Sequence, residues 1–527
     1  MSLSDLFLNG TSVFQLSPKR EPAKIPSMST MPEVPAAYKK LLKRARETAL
    51  ATSAAQALTW DQETYMPPKS LPYRAEQLAW LSGHAHRRFI ARQVGQWISQ
   101  CEQHGFPPDS SQSGNLREWR RQYDRATKVS ARLVEKLERV RAHAREAWRQ
   151  ARQQSKFSIF KPHLDKVLAL NRQMADCWGY KDSPYDALVE GYEPGATAAQ
   201  LRQLFAELCP AIASVLAPAV AKSAAVPRDL LQGQYPVAAQ QAFNRKVAEA
   251  IGFDFTAGRI DTTTHPFCST LGAGDCRLTT RYSETDFVTS LYGVLHEAGH
   301  GMYEQGLPLE DFGTPNGTAV SLAIHESQSR LWENHVGRGP AFWERWHPVA
   351  CEHFPGLKKF SPAQITAAVN RVSPSFIRVE ADQVTYDLHI ILRFEIEVNL
   401  VEGKLKTADV PAYWNEQFEK MFGLKVSKDS EGCLQDIHWS IGLIGYFPTY
   451  TLGNLNAAQL MRRAAMENPG LAGELARGEY QPLLSWLREK IHRQGSRHKP
   501  TELIRLATGE PTGIRDHVEY LCAKFVG

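Results

Sequence analysis

The 527-residue chain is 43% hydrophobic and 22% charged, with a formal net charge of +6 at pH 7. A chain of this size can bury large cores, and its charge is too modest to mark a nucleic-acid-binding protein. It contains no uninterrupted run of 18 apolar residues, which argues against a membrane-spanning helix.

Residues 1–30 contain Ser and Pro but no basic segment followed by an apolar one, so they do not read as a secretory signal. They read as a flexible leader or appended extension, leaving 31–527 as one domain. Apolar residues recur at spacings of three and four over 35–59, 73–104, 115–152, 158–178, 197–220 and 237–251. The same spacing returns over 284–305, 317–336, 340–353, 362–372, 380–402, 410–424, 455–466, 470–478, 480–493 and 500–508. This period predicts a mainly α protein, with no internal repeat or low-complexity linker, and so one domain of two helical lobes around a groove. The basic stretch Arg117–Lys156 is interleaved with Leu133, Leu137, Val140, Ala144 and Trp148, which makes it a solvated face of an amphipathic helix.

Between the helical blocks, Arg259–Thr264 and Cys276–Tyr282 are rich in Thr and β-branched residues. They predict two short strands joined into a hairpin by the Gly-rich turn Leu271–Gly274. An exposed strand edge there could pair with an extended peptide. The eight cysteines are scattered, with no C-x-x-C pair. That fits free thiols in a reducing compartment and a cytoplasmic protein.

The strongest chemical signal follows at His296-Glu297-Ala298-Gly299-His300. In an α-helix, residues i and i+4 share a face, so both imidazoles can reach one ion. The glutamate between them can take the proton of an attacking water. The flanking stripe Phe287, Leu291, Val294, Leu295, Ala298 and Met302 has helical period. Burying two histidines and a glutamate beside that stripe is costly without partners or a metal. The pattern predicts a zinc-dependent hydrolase, and such a site needs a third protein ligand. Glu326, in the helical segment Ala323–Glu333, is the preferred third ligand, but spacing alone does not separate it from Glu304 or Glu310.

Six further motifs accompany the H-E-x-x-H in order: Trp60–Pro68, His265-Pro266-Phe267, Asp275–Thr279, His325-Glu326-Ser327-Gln328, Ile377–Asp382 and Gly432–Trp439. Together they resemble the signatures of the M32 metallocarboxypeptidases, from about residue 35 to the carboxyl terminus. The resemblance implies a zincin fold similar to neurolysin and angiotensin-converting enzyme, with two helical lobes around a deep groove and a small β-hairpin or sheet beside the zinc site. It implies one divalent ion per chain, zinc with cobalt possible in its place, and peptide substrates with a free C-terminal carboxylate. It also implies a homodimer; the modest charge and the lack of a long apolar run leave neither nucleic acid nor membrane as an expected partner. The metal would be held by His296, His300 and Glu326, with Glu297 as general base. His438 and Tyr446 would act on the developing oxyanion, with Tyr450 contacting substrate. A terminal carboxylate favours a bidentate arginine; Arg378 is the first choice, with Arg277 and His265 as competing donors. Asp382 and Asp436 would orient their neighbours. Two other readings are an oligopeptidase with an open groove and a peptide-binding protein on an inactive peptidase fold. The second would require loss of a ligand or of the base, and all four residues are present.

Overall fold

The computed structural model describes residues 34–264 and 266–527. Helices dominate; α1 (Ala36–Thr64) borders the cavity beyond His325, and five others frame the site: α2 (Val288–Gly306), α3 (Leu322–Arg330), α4 (Tyr386–Val401), α5 (Pro448–Glu467) and α6 (Arg515–Phe525). Their apolar faces feed two large cores. One is built from residues between Ala144 and Ala219 together with α4 and α6. The other joins residues from Tyr235 to Val369 with the chain from Ala457 to Ala507. A small third core ties the start of α1 to the region around Val94–Trp119.

The two large cores meet on α3 and α5. Ala323 belongs to the first and Ile324 to the second; Leu452 and Leu455 face the first, Ala457 and Leu460 the second. Apolar side chains on opposite sides of one helix let it serve two lobes at once. The site is built where α3, backed by α5, crosses α2.

The strand region has three strands, not two: β1 (Gly258–Thr262), β2 (Cys268–Gly272) and β3 (Asp275–Thr280), in the order β1-β3-β2. The Gly-rich turn makes a hairpin, but between β2 and β3, with Gly274 at φ +77° supplying the reversal. β1 lies parallel to β3, Gly258 opposite Cys276 and Thr262 opposite Thr280. The expected β1–β3 hairpin is therefore corrected: the chain reverses twice between them, so they run in the same direction. The short segment Cys-Ser-Thr-Leu-Gly lacks a clear alternation and did not announce itself as a strand.

Short breaks, at Ile90-Ala91 and Val129-Ser130, divide two of the expected long helices. Residues 73–104 split into Leu71–Phe89 and Arg92–His104, and 115–152 into Ser111–Lys128 and Ala131–Gln154, the latter capped by Ser130. Helix α4 starts at Tyr386 rather than at 380, because Asp382 turns back to accept the amides of Val384 and Thr385. Among the described residues one helix, Ala198–Ser223, is long and apolar enough to cross a membrane by length and composition. Arg202, Glu207 and Lys222 interrupt its apolar run, which hid it from a search for unbroken hydrophobicity. In this fold Leu201, Phe205, Leu208, Ile212 and Val215 bury one stripe of it in the first core.

Candidate metal centre

Helix α2 buries Leu291, Val294, Leu295, Ala298 and Met302 in the second core, which leaves His296 and His300 on the adjoining side. Helix α3 crosses it at very short range. A Cβ on Gly299 would stand 2.6 Å from the Gln328 carbonyl oxygen and 2.7 Å from Ser329 Cα. On the opposite side of α3, a Cβ on Gly453 of α5 would stand 2.6 Å from Glu326 Cγ. Two glycines thus let three helix backbones approach closely enough for Glu326 to reach the histidines.

Glu326 Oε2 lies 3.6 Å from His296 Nε2 and 3.5 Å from His300 Nε2. The three donor atoms fall within 4.8 Å of one another and form the only such group among the described residues. His296 Nδ1 stands 3.0 Å from Glu333 Oε2, and His300 Nδ1 stands 3.0 Å from the His325 carbonyl oxygen. Each outer acceptor draws the ring proton to Nδ1 and turns the Nε2 lone pair toward Glu326, the usual arrangement of metal-binding histidines. Two imidazole nitrogens and a carboxylate oxygen facing one point fit a divalent ion. Of the rival acids, Glu304 is turned away to bind His325 Nε2 at 3.0 Å and Thr270 Oγ1 at 3.0 Å, and Glu310 is exposed.

The electrostatics favour a cation here. Burial alone would raise the Glu326 carboxyl, but Arg330 and the two histidines hold it well below the carboxylate range. Burial lowers His296, yet Glu326 and Glu333 outweigh it and draw it up to about 8. Burial and then His325 lower His300 to about 3. Glu297 is 7% exposed and lines the same cavity; burial raises it to about 7 against the opposing pull of His296.

That cavity holds about 970 Å³ and carries His296, Glu297, Glu326, Arg378 and Tyr450 on its walls. Arg378 is 5% exposed. Its Nε and Nη2 both donate to Asp436 Oδ1, at 3.0 and 2.7 Å, and Nη1 donates to the Tyr386 hydroxyl at 3.0 Å. Asp436 Oδ2 accepts from Arg393 Nε at 2.6 Å. The forked face of Arg378 is therefore already taken, while its guanidinium lies 5.0 Å over the Tyr450 ring. His438 Nε2 is 3.4 Å from the Tyr450 hydroxyl, and Tyr446 packs edge-on against Tyr450. Both His438 and Tyr446 stand behind Tyr450 rather than on the cavity wall. Arg277 is tied to Asp275 at 2.9 and 2.8 Å, stacks 4.3 Å over Trp60, and lines neither this cavity nor the one on the far side of His325. His265 lies outside the described residues.

Sequence reasoning missed several supporting groups. Glu333 sits seven residues after Glu326, where the helix loosens into a π turn over Leu331–Gly337, a feature common at functional sites. The i, i+7 spacing was the available signal. Glu397 is fully buried and accepts from Tyr185 Oη, Trp439 Nε1 and the Gly445 amide at 2.9, 3.0 and 3.0 Å. It thereby anchors the loop that carries His438 and Tyr446, and nothing local marks it out from any other helical glutamate.

Comparison with known proteins agrees with this geometry. The family model of carboxypeptidase Taq (M32) metallopeptidases matches residues 40–525. Thermostable carboxypeptidase 1 of Thermus thermophilus is 43% identical over 503 residues, covering 93% of this chain and 98% of that one. Carboxypeptidase 1 of Bacillus subtilis is 36% identical, covering 90% and 95%. The crystal structure of an M32 carboxypeptidase from Deinococcus radiodurans superposes with a TM-score of 0.90 at 37% identity, covering 93% of this chain and 99% of that one. A match spanning nearly the whole length, with a metal-binding triad at its centre, places the chain in the M32 family: it is a metallocarboxypeptidase that uses a divalent ion to act on peptides.

Proposed function

We propose that the enzyme removes single residues of broad identity from the carboxyl end of peptides, with zinc held by His296, His300 and Glu326, and with cobalt able to replace it. The observation that carries this reading is the convergence of two Nε2 atoms and one carboxylate oxygen within 4.8 Å, beside a buried glutamate. When bound, the ion supplies a polarised scissile carbonyl and an acidified water. Glu297, raised to about 7, is suited both to accept the proton of the attacking water and to deliver it to the leaving amine. Burial lowers His438 to about 4, so near neutral pH it meets Tyr450 as an uncharged ring. His438 and Tyr446 then serve the oxyanion through Tyr450, which they pack against.

Arg378 receives the substrate carboxylate. Because Asp436 holds the Nε/Nη2 edge, the contact is made by the remaining Nη hydrogens, end-on rather than side-on. Tyr450 lines the same wall, and Arg277 and His265 are assigned to the substrate from the motifs alone. Residues 31–527 act as one domain built around the shared helices, with 1–30 as a leader. The enzyme works in the cytoplasm as a homodimer, with neither nucleic acid nor membrane as a partner.

The test uses a blocked dipeptide with a free terminal carboxylate and its amidated twin, assayed after chelation and after zinc or cobalt is restored. Release of the last residue from the free acid alone, restored by metal, supports the proposal. Equal cleavage of both twins would make the enzyme an oligopeptidase.

A further inference from the structure

Cys268 of β2 and Cys276 of β3 stand on the same face of neighbouring antiparallel strands, in register with Leu278 and Thr270 respectively. Their sulfur atoms are 3.5 Å apart, the only sulfur–sulfur contact among the described residues. Cys268 is half-buried, while Cys276 is buried yet lines a cavity of about 500 Å³ that also exposes Thr270, Glu304 and His325. We propose that this pair is a modification site: a dithiol that a hydroperoxide converts into a disulfide bridging β2 and β3, with loss of peptidase activity.

The chemistry balances with one oxidant. The sulfur of Cys268, the less buried residue of the two, attacks the peroxide, forming a sulfenic acid and releasing the alcohol, or water if the oxidant is hydrogen peroxide. Cys276 then attacks that sulfur, its proton leaves with the departing hydroxide as water, and the S–S bond forms. The hydrogen bond to Cys276, followed by burial, raises the Cys268 thiol. Little thiolate is therefore present near neutral pH, and the pair responds slowly, to sustained rather than trace oxidant.

A disulfide needs its sulfurs about 2.05 Å apart, so closure must draw the two strands together at this point. Thr270, two residues along on the same face of β2, donates to Glu304 Oε2 at 3.0 Å. Glu304 in turn holds His325, whose ring stacks on His300 at 4.3 Å. The strain therefore has a short route to a residue that holds the metal. This consequence for activity rests on the role proposed for His300, whereas formation of the bond does not.

The experiment treats zinc-loaded, full-length enzyme with hydrogen peroxide, blocks the remaining thiols, and maps the digested protein by mass spectrometry. The expected result is a linked Cys268–Cys276 peptide pair with two of the eight thiols lost and restored by a thiol reductant. Activity on the free-acid dipeptide should fall about tenfold, the lower end of what disturbing an outer partner of a metal ligand costs. Cys276→Ser should stop at a trappable Cys268 sulfenic acid and keep its activity under peroxide. Both thiols still open to alkylation while exposed Cys177 oxidises, or Cys268 passing to the sulfinic acid with Cys276 free, would overturn the site. A disulfide that forms with activity unchanged would overturn its link to the metal centre.

Discussion

The metal centre and the Arg378 wall, proposed to receive the substrate carboxylate, share one cavity but are built in opposite ways. The centre is compact: four of its residues lie on two helices, and close approach at Gly299 and Gly453 does the rest. The wall is dispersed. Arg378, Tyr386 and Arg393 come from one stretch of chain, Asp436 and Tyr450 from another, and all five depend on one another's charge and hydrogen bonds. A compact site tolerates little change in backbone distance but carries its chemistry locally. A dispersed one is only as stable as its buried charge network.

Changes in the two regions should therefore fail differently. The largest effect is expected from Glu297→Gln, which should lower kcat by about 10²–10⁴ while the protein still titrates with one zinc; wild-type-like turnover would remove Glu297 from the chemistry. In the wall, Asp436→Asn leaves Arg378 and the fully buried Arg393 without their carboxylate. It should cost about 3–5 kcal/mol in denaturant unfolding and raise KM for free-acid substrates while zinc affinity holds. A fall in zinc affinity instead would erase the distinction between the regions.

Glu397 offers a pH test of how the wall's loop is anchored. Burial, only partly offset by the Gly445, Tyr185 and Trp439 donors, raises it to about 7 from an ordinary value of 4.5. The folded protein therefore keeps a proton that the unfolded chain has lost, so stability falls as pH rises from about 4.5 to about 7 and then levels off. Glu397's share of the fall should be about 3 kcal/mol and be missing in Glu397→Gln, where Glu193 and Glu297 keep theirs, compared by melting temperature across that window. Equal slopes would show that this carboxyl does not titrate there.

Two smaller effects belong to the metal centre. Gly299→Ala presses a methyl group onto the backbone of α3; overpacking of this kind costs about 1–3 kcal/mol, and here it should also weaken zinc binding, which Gly301→Ala should affect less. Glu333→Gln removes the carboxylate behind His296 and should weaken zinc binding about 10–100-fold, measured by competition with a chelator, with KM nearly unchanged.

Much of the centre was legible in sequence because it rests on helical spacing. His296 and His300 share a face by periodicity alone, and the stripe from Leu291 to Met302 showed which side is buried. The wall was not legible in that way. Arg378 came from a motif, and the expectation of a free bidentate fork did not anticipate Asp436 filling it. The terminal helix α6 went unread because its buried face carries Asp516 and His517, and His517 is satisfied only by Asp387, 130 residues away. Strand β2 was passed over for want of alternation, although it carries Cys268 and Thr270.

The sequence by itself determined the helical class, the pair of imidazoles and the presence of a base between them, because each depends on contacts within a turn or two of chain. Only the tertiary structure decided that Glu326 rather than Glu304 meets the histidines, that β1 and β3 run parallel, and that Arg378 is held by Asp436. Each of these turns on how closely distant backbones approach and how buried charges are shared. That information lies in no local window, because burial makes an unpaired charge too costly to leave alone and the partner can come from anywhere in the chain.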